Sequence, residues 1–478
     1  MNPIRKLKVI FNAATQDIED SPAFEKFDET ISPNMRALRL SVTIADVLIS
    51  MGVSVADVVS MSLDITDRYC HRKVQFDISS TLITASQDRG NDREPLTIIR
   101  HATPRTTNNM TVQSIQEMIR DIQHGKTELH RAEEKLDTIL SKPHHYPRWI
   151  TVSGGGFISA GVGILLGATP IIISIMLIVG IIVSYTLRYL GHKRVPTFFA
   201  QIISAMFITL IAAFVAWLDT SGTVNWLQDV NPTFIIIGGI VMLVAGIAIV
   251  GAVQDAIDEF YVTANARLLK VMMMTVGIVV GVLTGLYIAK QLGVSIFITP
   301  DIMPVESAVQ IFGAVLISVG YALSMQTRPL SLIIAGAIGA TGWSIYQAAL
   351  TIGDTPLTVI VATAIAAGAV GASATLISRV WRTPSTALMT AGIVPLVPGI
   401  TLYNGLFLLI GNAENSYNFD QGVITLFSAT MIALAIASGV SLGHLIARPI
   451  RRTLVRARNA IPTPRPRVAL VAEDNKDS

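Results

Sequence analysis

The sequence predicts an α-helical polytopic membrane protein, with ten transmembrane helices as two inverted five-helix repeats behind an N-terminal cytoplasmic α+β domain. Three observations predict this. The charges crowd into the two ends of the chain, ten apolar stretches fill the middle, and one nine-residue motif occurs twice among them at matching places. The chain has 478 residues, 14% of them charged, and a mean hydropathy of +0.55. Residues 1–148 carry 39 charged side chains, residues 149–447 carry 19, and residues 448–478 carry 8 basic against 3 acidic. Nineteen charges in 299 residues is about 6%, against about 25% in soluble chains. A single soluble globule is therefore excluded, and so is a wholly disordered chain. The divisions follow: 1–147 a cytoplasmic α+β domain, 148–303 and 304–447 the two membrane repeats, and 448–478 a basic tail read as disordered.

In the first section, apolar residues from Met35 to Ile49 recur at helical spacing, Ser32-Pro33 caps that helix and Gly52 ends it. Val53–Tyr69 is a second helix. Lys73–Asp77, Thr81–Ser86 and Leu96–Arg100 alternate and are rich in β-branched residues, so they are strands. Thr111–His124 and Thr127–Leu140 are helices again. The basic start, Met1 to Phe11, is followed by no apolar stretch and is not a secretory signal. The single cysteine, Cys70, excludes a disulfide framework and reads as a core or surface thiol. His124, Glu128 and His130 are spaced wrongly for one helix face to present a metal site. No metal or other cofactor is implied. His144 and His145, beside Tyr146 and Trp149, read as anchors at the membrane boundary.

A bilayer core of about 30 Å needs about 20 apolar helical residues. Ten stretches qualify: 150–167, 169–190, 196–218, 233–253, 268–289, 305–325, 330–350, 356–377, 386–411 and 421–446. A β-barrel is excluded, because its strands are shorter and alternate. Nearly all loop Lys and Arg fall on one side, among them Arg148, Arg194, Arg267, Arg328 and Arg379. The other side has Lys290 alone. This asymmetry places both termini in the cytoplasm and requires an even number of spans. Gly154 to Gly167 and Gly368 to Ala374 are read as small-residue helix contacts, since no Lys-Ser/Thr makes the first a phosphate loop. The basic tail from Arg448 reads as attracted to anionic membrane lipids rather than to nucleic acid.

Gly239-Ile-Val-Met-Leu-Val-Ala-Gly-Ile247 in the fourth span matches Gly392-Ile-Val-Pro-Leu-Val-Pro-Gly-Ile400 in the ninth at seven of nine positions. Each lies in the fourth span of a five-span half. Five spans enter and leave on opposite sides, so two tandem copies are inverted, an architecture of transporters. Pro395, Pro398 and Gly399 interrupt the ninth span. Gly246 stands at the matching place without a proline, which predicts a smaller bend. Interrupted backbone in hydrocarbon is tolerated only inside protein or against a cavity. The candidate substrate-binding residues are therefore Gly246, Gln254, Pro398, Gly399, Thr401, Tyr403 and Asn404. A packing kink is the plainer alternative. Asp255 and Asp258, one helical turn apart after the fourth span, are candidates for proton coupling, against the alternative of a solvated loop. Glu306 reads as exposed, and His444 as a satisfied histidine near the end of the last span.

Leu38-Arg-Leu-Ser-Val-Thr-Ile-Ala-Asp-Val-Leu-Ile-Ser-Met-Gly52 ahead of ten spans resembles the threonine/serine exporter (ThrE) family. So do the two nine-residue motifs, Gln254-Asp255-Ala-Ile and Val262-Thr263-Ala-Asn-Ala-Arg267. The likeness covers roughly residues 35–450. It implies export of L-threonine and L-serine from the cytoplasm, driven by the proton motive force, with Asp255 on the signature position and Thr263 and Arg267 on the segment that follows. The implied partners are small amino acids, protons and membrane lipids. Nucleic acid is not among them, and a homo-oligomer is compatible with the sequence. Whether Asp255 meets the substrate ammonium or the proton stays open. An intramembrane enzyme is disfavoured, since the spans hold no paired catalytic acids. Export of another small metabolite or short peptide stays open, as does a sensor or scaffold role using the first domain.

Overall fold

The computed structural model describes residues 33–70, 72–89, 94–103, 105–141, 146–220, 232–243, 246–294, 305–351, 356–381, 383–411 and 416–460. His144, His145 and Pro462 to Pro466 lie outside the described residues.

The N-terminal region is an α+β layer. Helices α1 (Pro33–Ser50) and α2 (Val55–Tyr69) precede strands β1 (Val74–Ser79), β2 (Leu82–Gln87) and β3 (Leu96–His101), and α3 (Asn109–Gln123) and α4 (Leu129–Ser141) follow. The strands form an antiparallel meander in the order β1-β2-β3, with Ser79 opposite Leu82 and Gln87 opposite Leu96. Helix α1 is the centre of the core. Leu38, Leu40, Ile44 and Leu48 are fully buried, and Ile65, Ile83, Ile115 and Leu136 close around them. Gly52, at φ +90°, ends α1 where a Cβ is disfavoured. Glu133 is buried and holds Arg36 in a two-pronged ion pair that ties α4 to α1. Cys70 is buried in the same core, and burial pushes its thiol up to about 11.

The remainder is helical: α5 (Arg148–Leu165), α6 (Pro170–His192), α7 (Thr197–Thr220), α8 (Thr233–Leu243), α9 (Gly246–Ile257), α10 (Tyr261–Gln291), α11 (Ser307–Ser324), α12 (Pro329–Leu350), α13 (Pro356–Val380), α14 (Ser385–Ile393), a 3₁₀ turn (Val394–Leu396), α15 (Gly399–Gly411) and α16 (Ser416–Ala460). Among the described residues, seven helices are long and apolar enough to cross a membrane: α6, α7, α10, α11, α12, α13 and α16. The chain is thus a polytopic helical membrane protein. The other three expected stretches look different. Helix α5 has 18 residues, but glycines and serines dilute its hydropathy. The ninth stretch is divided into shorter helices, and the fourth is described as α8 and α9 on either side of residues 244–245, which lie outside the described set. Proline opens α6, α12 and α13, where its missing N–H costs nothing. Helix α16 runs on to Ala460, so Arg451 to Arg458 continue the last helix, where the sequence reading had begun a disordered tail at 448.

The same partners pack in both halves. Helix α5 lies on α6 as α11 lies on α12, and α7 lies on α10 as α13 lies on α16. Helix α8 packs on α6 and α7 as α14 packs on α12 and α13. The halves meet through α5 and α11, where small residues let the backbones touch. A Cβ on Gly161 would lie 2.8 Å from the Gly313 carbonyl, and one on Gly320 would lie 2.7 Å from the Gly154 carbonyl. On the outside, α7 and α10 expose Phe207, Phe214, Leu269 and Met272, as lipid-facing helices do.

Gly320→Val is expected to collapse the melting temperature in detergent. Gly191→Ala, with nothing within 4 Å of the added Cβ, leaves it within about 1 °C. A thiol near pKa 11 holds about a hundredth of the thiolate of one at 9. Maleimide at pH 8 should therefore label Cys70 at least tenfold more slowly in the folded protein than in dodecyl sulfate.

Candidate functional site

The site is built from the two copies of the repeated motif. In the second half, Pro395 has no N–H to give and Val397 is extended (φ −62°, ψ 130°), so the helix stops after Ile393 and restarts at Gly399. In the first half, α8 is described to Leu243 and α9 from Gly246, with residues 244–245 outside the described set. The Leu243 carbonyl there accepts from Gln201 Nε2 at 3.3 Å. The first motif glycine of each copy is used alike. Gly239 lies on Ile208 of α7, and Gly392 lies on Val370 of α13. The two copies also meet, since a Cβ on Gly399 would lie 2.9 Å from Val241.

A cavity of about 670 Å³ runs between these two motif copies and the α+β region. Val241, Met242 and Leu243 of the first copy and Ile393, Val394 and Val397 of the second line it. Its inner wall includes Gln201, Tyr321 and Thr390. Its outer wall includes Arg267, Lys270 and Gln254, and beyond them Arg105 and the α1–α2 loop, Met51 to Ser54. Arg105 is held there by the buried Asp46, 3.6 Å away, which also accepts from the Thr103 N–H at 2.9 Å.

The α+β region is fastened to the membrane helices on both sides of this cavity. The Asn109 and Met110 N–H groups donate to the Met325 and Gln326 carbonyls in the α11–α12 turn, at 2.9 and 3.1 Å. Arg328 pairs with Glu117 at 2.9 Å, and Tyr146 donates to the Thr327 carbonyl. At the start of α10, Phe260 packs into the α+β core and Thr263 accepts from the Ser80 N–H at the β1–β2 turn, 3.0 Å.

The expected site residues divide accordingly. Gln254 and Arg267 line the cavity. Asp255 lies beside it, 1% exposed, with Arg267 Nη1 at 2.8 Å and the Val55 N–H facing it from the start of α2. Neither approach is aligned as a full hydrogen bond, so both carboxylate oxygens keep unused acceptor capacity. The solvated-loop alternative thus fails for Asp255, whereas Asp258 is exposed. Thr263 is a docking contact. Pro398 and Gly399 shape the interruption, and Gly246 starts α9. Thr401 and Asn404 are half-buried in α15 and are not among the cavity-lining residues. The Tyr403 side chain lies outside the described set. Gln201, Tyr321, Thr390 and Arg105 were missed. Gln201 had a signal, as a lone amide in the apolar stretch 196–218.

A family profile described as "Putative threonine/serine exporter" matches residues 39–289, more than half of the chain. The chain belongs to the threonine/serine exporter family. A second profile of that family, "Threonine/Serine exporter, ThrE", matches residues 310–446. A "Probable threonine/serine exporter" of Mycobacterium tuberculosis is 31% identical over 424 residues, covering 87% of this chain and 77% of the relative. A "Threonine/serine exporter" of Corynebacterium glutamicum is 29% identical over 419 residues, covering 87% and 83%. No solved structure matches the chain significantly. The threonine/serine exporter family is one of transporters, not enzymes.

After Asp255, this family member closes α9 with a left-handed residue. The Phe260 N–H returns to the Asp255 carbonyl at 2.8 Å, and Glu259 between them has φ +68°. Glycine normally fills that position. Glu259→Gly should therefore stabilise the protein by about 1 kcal/mol, read as a higher melting temperature in detergent, with Asp258→Gly as the control that gains nothing.

Proposed function

We propose that the protein is a secondary active exporter of L-threonine and L-serine, driven by the proton motive force. One observation carries the reading: both copies of the repeated motif line a single cavity. A cavity of about 670 Å³ holds a small amino acid with room for water. The relatives' names supply the substrate class.

The mechanism follows from the halves. Ten spans, in repeats at 148–303 and 304–447, rock against each other along α5 and α11, and the cavity faces the cytoplasm in the present state. The shared packing partners of the two halves support inverted repeats, and the two family profiles part between residues 289 and 310. Both termini are cytoplasmic. Arg267 and Arg328 lie on the side of the α+β domain, 1–147, which accords with an excess of positive charge there. The basic end of α16 meets anionic lipid.

The backbone amides at the start of α15, after Pro398 and Gly399, offer partial positive charge to the substrate carboxylate. Gln254 binds polar groups at the mouth, and Thr401, Tyr403 and Asn404 join when the halves move. Asp255 carries the coupling proton. Its carboxylate is buried against Arg267, and protonating it frees that guanidinium at the cavity wall. Asp258 is the exposed relay to it.

Counterflow of labelled threonine in proteoliposomes, with and without a pH gradient, tests the reading. Serine should compete, and an inside-acid or inside-alkaline gradient should change net flux severalfold. Asp255→Asn should lower threonine efflux by at least tenfold at unchanged protein level. Wild-type efflux in that variant would refute the proton role.

A further inference from the structure

One seam of the membrane part gathers positive charge that no acid answers. Helices α5 and α6 run antiparallel, with Gly163 against Met176 and Gly155 against Ser184. Arg148 stands two turns before Gly155 on the same face of α5, and Arg188 stands one turn after Ser184 on α6. This register brings both arginines to one end of the seam, where the charge of Arg148 acts on Arg188. Like charges so placed repel. Among the described residues, no carboxylate pairs with either, nor with Lys193 or Arg194 just beyond. The sequence explains why: residues 138–218 contain no Asp or Glu. Arg188 is also half-buried, so water reaches its charge only in part.

The surface beside this pair is apolar and aromatic. Ile171, Ile178, Ile182, Tyr185 and Tyr189 of α6 are exposed. At 3.6 residues per turn they fall within about 60° of one another, as one stripe. Leu187, on the opposite side of α6, lines the cavity, so the stripe faces away from it. Arg188 lies between the stripe and the face that meets α5. At the end of the stripe, Tyr185 and Tyr189 stack with ring centroids 6.4 Å apart, and Lys193 Nζ sits 5.9 Å over the Tyr189 ring. Trp149, next to Arg148, is 73% exposed. Tyr, Trp and cations at the end of an apolar stripe are the chemistry of a membrane–water interface.

We propose that this end of the α5–α6 seam holds an anionic glycerophospholipid. Its headgroup phosphate sits between Arg148 and Arg188, and one acyl chain lies along the stripe from Tyr185 towards Ile171. Guanidinium groups suit phosphate oxygens, and basic pockets between membrane helices lodge such headgroups. A free phosphate would use the arginines and leave the stripe without a role. The bound lipid turns a repulsion into charge-assisted hydrogen bonds and clamps α5 to α6. The site lies outside the cavity and does not depend on what the cavity carries.

Full-length protein in dodecyl maltoside is titrated with phosphatidylglycerol, phosphatidylcholine or inorganic phosphate while the melting temperature is read. Phosphatidylglycerol should raise it saturably, by about 3 °C or more, and the other two should not. Arg188→Gln and Arg148→Gln should each lose at least half of that rise. Their lipid-free melting temperatures should not fall below wild type, because a repulsion has been removed. Arg148 is exposed, so its variant decides the matter if Arg188→Gln folds poorly. Lys290→Gln, which removes an exposed cation at the far end of α10, should keep the full rise. An equal rise with phosphatidylcholine removes the charge selection and overturns the proposal. An equal rise with inorganic phosphate makes this a free-anion site and also overturns it. So does a phosphatidylglycerol rise that survives in Arg148→Gln, or one lost equally in Lys290→Gln, which would mark diffuse attraction.

Discussion

Within hydrocarbon, every backbone N–H and C=O must find a partner in the protein or face an enclosed cavity. The interruption of the ninth apolar stretch is therefore a constraint around which the membrane part is arranged. It is not left to lipid. Gly399 presses on Val241 of the first motif copy, and Val394 and Val397 face the cavity. Around them, glycine contacts bring α5 against α11 and α13 against α16 closely enough to seal the site. The small residues that the sequence marked as helix contacts are what let these helices close around a buried irregular backbone.

Much of the fold was legible. Each strand and helix of the α+β region falls within about two residues of its periodic pattern, because one face of every element is buried and the other is not. Seven of the ten expected apolar stretches are found as helices long and apolar enough to cross a membrane, among the described residues. The site was legible only in part. The repeat pointed to residues that line the cavity, and charge scarcity pointed to Asp255, which is buried beside it. Yet sequence reasoning chose Thr401, Tyr403 and Asn404, just past the interruption, while Ile393, Val394 and Val397, before or within it, line the cavity. The reason is geometric. Non-helical residues reset the angular phase of a helix, so spacing no longer says which face looks inward.

Residues distant in sequence were illegible for a simpler reason. Gln201, Tyr321 and Thr390 come from three helices, and Arg105 and Ser54 come from a different layer of the protein. Nothing in local pattern joins them. Asp255 shows the same limit: its partner Arg267 follows twelve residues later across a left-handed turn, and its other neighbour, Val55, lies in the α+β region.

The fastening of the α+β region has a mechanical meaning. Ser80 and the core around Phe260 hold it to α10 in one half, whereas Asn109, Met110 and Glu117 hold it to the α11–α12 turn in the other. A body bolted to two parts cannot ride with both when they turn against each other. Under the alternating access proposed above, every turn would unfasten one set of hydrogen bonds or strain the sheet between them. The α+β region would then work as a brake shoe, the strength of those few contacts setting how often the two halves exchange places, independently of how tightly the cavity holds its cargo.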